Sequence, residues 1–460
     1  MKYQHNIVLN GDSYKYSQPH QYPDRTEFIY SYISSRGGIY DELVYFGLQA
    51  FEREYLSVPV TMEMIDQAEP IILAHGLPFY RELWEYIVKE HGGKLPIEIK
   101  AIDEGTVIKP HNVLLTIVNT DPKCWWLTSF IETSLMRAIW YPTTVATNSY
   151  FSKKIIASFL EETGTPSLID FKLHDFGFRG VSSWESAVLG GMAHLVNFMG
   201  TDTIGAILGV MEYYDAPVCG FSIPAMEHST VTSWGRDGEV KAFRNMLKLF
   251  GKPNALLACV SDSYDIYEAC KKWGTELKED VIKSGAVVVI RPDSGEPSSV
   301  VVKCLMILDK YFGSTMIKGY KVLNHVRIIQ GDGIDHKAIQ SILFSAQMAG
   351  FSADNIAFGQ GGALLQLVSR DDLEFAMKCS AAFINGEWID VYKDPITSSM
   401  KKSLKGRLAL IKDSDGKFLT VRLENIGENE DALKLRYRNG DLHNQTTFDQ
   451  IRGKVREGVQ

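Results

Sequence analysis

The stretches AVVVIRPDSGEP (286–297), VRIIQGDGID (326–335) and NIAFGQGGALL (355–365) are built alike. Each opens with a short apolar run and then passes into a polar, glycine-rich segment. The same order occurs upstream in SLIDFKLHDFGFRG (167–180), TDTIGAI (201–207), VCGFSIPAMEHS (218–229) and ALLACVSDSYD (255–265). A short buried strand, a polar loop and a helical interval, repeated about seven times, imply parallel strands joined by right-handed crossovers. Seven such strands suit a (β/α) barrel better than an open sheet, although spacing alone leaves both open. In either case the loops that follow the strands share one face, and ligands bind there. That places His174, Asp175, Arg179, Asp202, His228, Asp262, Arg291, Asp293, Asp332 and Gly361 around one mouth.

Outward from these repeats the texture changes. SSWESAVLGGMAHLVNFMG (182–200) carries a helical pattern, with Ser182 and Glu185 spaced as a capping box and Gly200 as its stop. Helical spacing also marks 39–56, and 77–93 ends on a glycine pair. Residues 95–122 alternate with period two and read as a small β-unit. Beyond residue 378, Asn385-Gly386 and Asn439-Gly440 are two-residue hairpin signals, because both central positions need positive φ. The expected organisation is an N-terminal α+β segment (1–160), a barrel-like domain (161–378), and a C-terminal β-rich segment (379–460) that packs with the first.

Composition excludes several classes. Of 460 residues, 45% are hydrophobic and 23% charged, which rules out a disordered chain. Net charge is −8, from 48 basic and 56 acidic residues, which argues against a nucleic-acid coat but not against a local phosphate pocket. The six cysteines show no CxxC or zinc-type spacing and read as reduced, buried small hydrophobes. The first residues lack the apolar centre of a signal peptide, and no apolar run could span a bilayer. The expectation is a cytoplasmic protein with no membrane partner.

The mouth offers basic groups, carboxylates and two glycine-rich turns, QGDG (330–333) and GQGG (359–362). There is no strained-elbow serine, no Cys beside His, no HExxH and no GxGxxG dinucleotide fingerprint. Glycine-rich turns before helices expose backbone N–H groups that suit a phosphate, or they are simply tight turns. In RPDSGEP, Arg291 can pair with an anion and Asp293 can hold ribose hydroxyls or a metal-bound water; a structural ion pair is the alternative. In HDFGFRG an aromatic face, Phe176 or Phe178, can stack on a flat ring while Arg179 meets a phosphate, unless the rings belong to the core. His228 in EHST can accept a proton or a phosphoryl group, or serve as a hydrogen-bonded loop residue. The basic run KKSLKGR (401–407) reads as a solvated face unless a partner subunit's mouth needs cations.

Taken in order, DSYK (12–15), HDFGFRG with SSWESA, GTDT (200–203), EHST, SDSYDIY (261–267), IRPDSGEP, IQGDGID, FGQGG and KGR resemble the nicotinamide phosphoribosyltransferase family over nearly the whole chain. The resemblance implies a type II phosphoribosyltransferase fold and a head-to-tail homodimer with two shared active sites. It implies a glycosyltransferase (pentosyltransferase) of NAD salvage, joining nicotinamide to 5-phosphoribosyl 1-pyrophosphate with Mg²⁺, and with ATP as an activating co-substrate through a phosphohistidine. By motif, Phe176 and the partner's Tyr14 sandwich the ring, and Asp202 and Arg291 meet its carboxamide. Arg179, His228, Arg291 and Asp293 surround the phosphoribosyl and pyrophosphate groups, and Asp262 orients His228. Gly331, Asp332, Gly361 and Gly362 cradle the 5′-phosphate and ribose. Arg36, Arg370, Lys378, Lys393 and Lys401 are implied as cations from the partner subunit. Asp293 is the candidate carboxylate for a magnesium bound through the pyrophosphate. Gln360, Ala363 and Trp184 depart from the common pattern without touching the chemistry. The nearest alternative is nicotinate phosphoribosyltransferase, and a non-catalytic nucleotide sensor is the alternative from another class.

Overall fold

The computed structural model describes residues 5–394 and 403–459, and Lys401 lies outside them. Six parallel strands form one sheet in the order Gly200–Thr201, Leu173–Asp175, Ile356–Gln360, Val326–Gln330, Val287–Arg291, Leu256–Val260. The seventh expected strand, within 218–229, is an extended segment with only two parallel bridges, Phe221 to Gly200 and Ala225 to Ala258. It nevertheless joins the two edge strands of the sheet. Pro224 has no N–H to give a ladder, which keeps the segment irregular. The sheet is therefore curled, as a barrel requires.

Helices cover its outer face. Leu257, Cys259, Val288, Ile290, Ile328 and Phe358 face them and are buried with Phe243 and Trp273. Alternation sends Ala258, Val289, Ile329 and Ala357 to the inside, where they meet Ile223 and Phe176.

The second sheet is antiparallel and draws on both ends of the chain. Its order is Glu387–Asp390, Ala376–Ile384, Thr26–Ser34, Val113–Asn119, Ile97–Ala101, Lys434–Arg438, Asp441–Leu442. Both Asn-Gly turns form as expected, with φ of 52° and 87° at Asn385-Gly386 and 52° and 92° at Asn439-Gly440. The C-terminal helix Phe448–Val459 does not stay with this sheet alone. Arg452 donates to the carbonyls of Leu195, Phe198 and Cys219, and Phe448, Ile451 and Val455 pack with Met192 and Leu195. It ties the two sheets together.

Local expectations were met unevenly. The helix Arg81–His91 ends on left-handed Gly92, as the glycine pair signalled. Residues 39–56 are not one helix: Leu43–Val44 is a short strand, and helix begins only at Leu48. Gly47, at φ 116°, makes the break, and a Cβ there would lie 2.3 Å from Pro142 and 2.6 Å from the Ala138 carbonyl. The cap of Trp184–Leu195 is Ser183, whose hydroxyl accepts from the Ser186 N–H, not Ser182. That helix stops at Leu195, and Gly200 instead starts a strand.

Candidate functional site

The interior alternation of the barrel builds the site. One step beyond Val289, Ile329 and Ala357 along their strands come Arg291, Gly331 and Gly359. The two glycines leave room for the Phe176 ring. A Cβ on Gly359 would lie 2.0 Å from Phe176 Cε2, and one on Gly331 would lie 3.2 Å from the same atom. The Phe176 N–H donates to the Gln360 carbonyl at 3.0 Å, which fixes the ring's height.

Phe176, Phe178, Arg179, Asp202, Ala225, Met226, Glu227 and Arg291 line one cleft of about 650 Å³. Asp202 stands at the end of strand Gly200–Thr201, with its N–H on the Asp175 carbonyl at 2.9 Å. Its Oδ1 accepts from Ser222 Oγ at 2.6 Å.

A connected series of hydrogen bonds runs from the next loops. His228 Nε2 donates to Asp262 Oδ1 at 2.9 Å. Asp262 Oδ2 accepts from the Asp293 N–H at 3.2 Å and from Ser294 Oγ at 2.7 Å. Asp293 Oδ2 lies 3.4 Å from Arg291 Nη2, and the buried Nε of Arg291 has no partner. The Asp262 side chain is 5% exposed while His228 is 45% exposed, so the acid is fixed and the imidazole faces outward. In the neutral imidazole, an Nε2–H committed to the carboxylate leaves the lone pair on Nδ1.

Two residues expected at the mouth stand elsewhere. His174 lies one layer deeper, its ring centre 6.3 Å from that of Phe176, and burial lowers its pKa. Asp175 falls on the opposite face of the strand by period two. There it is buried, Oδ1 accepts from the Gly177 N–H at 2.7 Å, and burial pushes its carboxyl up to about 6. Asp332 and Gly333 form an exposed turn ahead of helix His336–Met348, which Asp335 caps. Gly361 precedes the single turn Gly362–Leu365.

The residues ascribed to a partner subunit do not line the cleft of their own chain. Tyr14 sits on the turn Ser13–Ser17 of the antiparallel domain and is 55% exposed. Arg36, Arg370 and Lys393 instead gather about Lys378. Burial, together with those three charges, holds the Lys378 ammonium below its ordinary pKa, against an opposing pull from Glu132. This cation group lies on the edge of one sheet and the mouth at the end of the other.

The sequence reading missed Ser222, and left Ser294 without a role although RPDSGEP was singled out. Small hydroxyl residues in irregular loops carry no periodic signal. Only the carboxylates they bind make them visible.

Magnesium commonly keeps several waters and is held by one or two carboxylates plus substrate phosphates. Asp293, 28% exposed in its side chain and beside the Gly331 turn, fits that mode. Among the described residues, the one close group of three metal-type ligands is His91, Asp121 and Cys124, in the other domain. A further cavity of about 480 Å³, lined by Phe51, Arg137, Trp140 and Trp184, holds none of the expected site residues.

Comparison with known proteins agrees with this architecture. The nicotinate phosphoribosyltransferase (NAPRTase) family matches residues 171–446, and the nicotinamide phosphoribosyltransferase N-terminal domain matches residues 6–99. The chain is 52% identical, over 461 residues and 98% of both chains, to a nicotinamide phosphoribosyltransferase of Xanthomonas campestris pv. campestris. It is 30% identical to one of Acinetobacter baylyi, over 100% of this chain and 99% of that protein. Among solved structures, the nicotinate-nucleotide pyrophosphorylase of Pyrococcus furiosus aligns with a TM-score of 0.66 at 16% identity, covering 100% of this chain and 96% of that one. Human nicotinic acid phosphoribosyltransferase aligns with 0.59 at 16%, covering 97% and 93%. At such identities the two structures speak for the fold alone.

Proposed function

The chain belongs to the nicotinate phosphoribosyltransferase family, and from that premise we propose that it transfers the phosphoribosyl group of 5-phosphoribosyl 1-pyrophosphate to nicotinamide, yielding nicotinamide mononucleotide and pyrophosphate for NAD salvage. The observation that carries the choice of substrate is Asp202, a carboxylate in the same cleft as Phe176 and Arg291. An amide can donate an N–H to it. A nicotinate carboxylate would face like charge there, which disfavours it.

The chemistry needs no general base. The neutral pyridine nitrogen forms a bond to C1 of the ribose as the C1–O bond to pyrophosphate breaks, and the positive charge remains on the ring. The protein's task is to place the ring and to stabilise the leaving group. Phe176 supplies one wall of the ring slot. Arg291 donates to the amide oxygen, and Arg179 and Arg291 attract the phosphates. The turns at Gly331–Asp332 and Gly361–Gly362 offer backbone donors to the 5′-phosphate. Asp293 would hold Mg²⁺, which would neutralise charge on the pyrophosphate.

His228 is the candidate phosphoryl acceptor. Its Nδ1 attacks the γ-phosphorus of ATP and ADP departs, while Asp262 accepts the hydrogen bond from Nε2–H and orients the ring. Tyr14 and the cation group around Lys378 complete the site of a partner subunit in a homodimer. Their placement away from their own cleft supports a shared site.

The test is release of pyrophosphate and formation of the mononucleotide from 5-phosphoribosyl 1-pyrophosphate, nicotinamide, Mg²⁺ and ATP. Turnover is expected. Its absence, with binding of nucleotides retained, would indicate a sensor and remove this reading.

A further inference from the structure

Asp202 is exposed in the cleft, and an exposed aspartate samples several rotamers unless something holds it. Ser222 Oγ lies 2.6 Å from Asp202 Oδ1, the short distance of a hydroxyl donating to an ionised carboxylate. We propose that Ser222 is the positioning residue for substrate selection: its hydroxyl holds one oxygen of Asp202 so that the other faces the cleft as an acceptor. This rests on the role given to Asp202 above and deepens it.

Both ends of the contact are anchored through the backbone. On one side, the Asp202 N–H is bound to the Asp175 carbonyl, and the Thr203 N–H is held by Thr201 Oγ1 at 3.0 Å. On the other, the Phe221 N–H donates to the Met199 carbonyl at 2.8 Å, and the Phe221 carbonyl accepts from the Thr201 N–H at 3.0 Å. Two residues past Ser222 stands Pro224, whose carbonyl accepts from the Ala258 N–H at 2.9 Å. Ser222 is thus fixed by the segment that joins the two edge strands. The incomplete seventh strand lets it turn its side chain toward the neighbouring loop.

The chemistry of the pair is one-directional. A serine hydroxyl has one proton, and here it is given to Asp202. The donated hydrogen bond occupies Oδ1 and leaves Oδ2 as an acceptor. A ring bearing an amide presents a donor to that oxygen. A ring bearing a carboxylate presents none. Without the hydroxyl, Asp202 can rotate away, and that weakens selection for the amide.

The experiment compares kcat/KM for nicotinamide and nicotinate in the wild type, Ser222→Ala and Ser222→Thr. Ser222 is exposed, so neither change disturbs the core. For Ser222→Ala, the nicotinamide-to-nicotinate ratio should fall about tenfold, mainly through a higher KM for nicotinamide, the loss expected for a hydrogen bond to a charged group. Ser222→Thr, which keeps the hydroxyl, should restore the ratio. A merely structural serine would alter both substrates together. A ratio unchanged in Ser222→Ala, or equally lowered in Ser222→Thr, overturns the proposal while leaving the role of Asp202 intact. A wild type that turns over nicotinate but not nicotinamide overturns both.

Discussion

Gly359→Ala perturbs the proposed ring slot without touching a charged or reacting group. The added Cβ would sit 2.0 Å from Phe176 Cε2, 2.1 Å from Cδ2 and 2.8 Å from Cζ. Carbon atoms rest at about 3.5–4.0 Å, so the ring must retreat by about 1.5 Å. It cannot retreat freely, because its backbone N–H is bound to the Gln360 carbonyl at 3.0 Å. Displacements of about 1 Å at a reacting pair cost about a hundredfold in rate, or about 2.7 kcal/mol in the barrier. The expected result is therefore a kcat/KM for nicotinamide reduced by about two orders of magnitude. Overpacking should also lower stability by about 1–3 kcal/mol, so thermal unfolding is recorded beside the kinetics. A double-mutant cycle separates the ring from general strain. In a Phe176→Ala background the clash has no partner, and Gly359→Ala should add little. Activity within threefold of the wild type, or an undiminished cost in the Phe176→Ala background, would refute this picture of the slot.

His228→Ala should abolish acid-labile ³²P labelling from ATP while leaving slow transfer; equal labelling of variant and wild type would remove His228 as the acceptor. Mixing Tyr14→Ala subunits with Arg291→Ala subunits should restore activity through one intact site per heterodimer, and no recovery would count against a shared site. Glu52 is 1% exposed, its Oε1 has no partner, and burial pushes its carboxyl up to about 8. Between its ordinary value and that one, the folded chain holds a proton the unfolded chain has lost. Stability from this residue therefore falls as pH rises through the window, by at most about 1.4 kcal/mol per pH unit. Denaturant unfolding across about pH 5 to about pH 8 should show a shallower slope for Glu52→Gln; an identical slope would mean Glu52 titrates as it does in water.

The sequence was most legible where local chemistry dictates geometry. Asn385-Gly386 and Asn439-Gly440 could only be tight turns, and each apolar run before a glycine loop formed a parallel strand except the one interrupted by Pro224. The carboxylates and arginines after those strands came to one end because all parallel strands deliver their loops to the same face. Period two then decided what spacing could not. It sent Asp175 to the outer face and set His174 on the same face as Phe176, one layer deeper. Helix boundaries near Ser182 were ambiguous because two adjacent serines compete for one cap. The break at Gly47 depended on Pro142 and Ala138, nearly a hundred residues away, and no local pattern reveals such a contact. The proposed partner roles of Tyr14 and the cations around Lys378 rest on the family resemblance alone, since a second subunit would leave no periodicity in the first.

In the proposed reaction one carboxylate, Asp202 at the end of strand Gly200–Thr201, selects an uncharged ring amide. The most direct measurement is pyrophosphate release by the wild type and by Asp202→Asn, each with nicotinamide and with nicotinate. The wild type should strongly prefer the amide, and the variant's amide-to-acid ratio of kcat/KM should fall by at least about tenfold as the like-charge barrier is removed. An unchanged ratio in an active Asp202→Asn enzyme would contradict it.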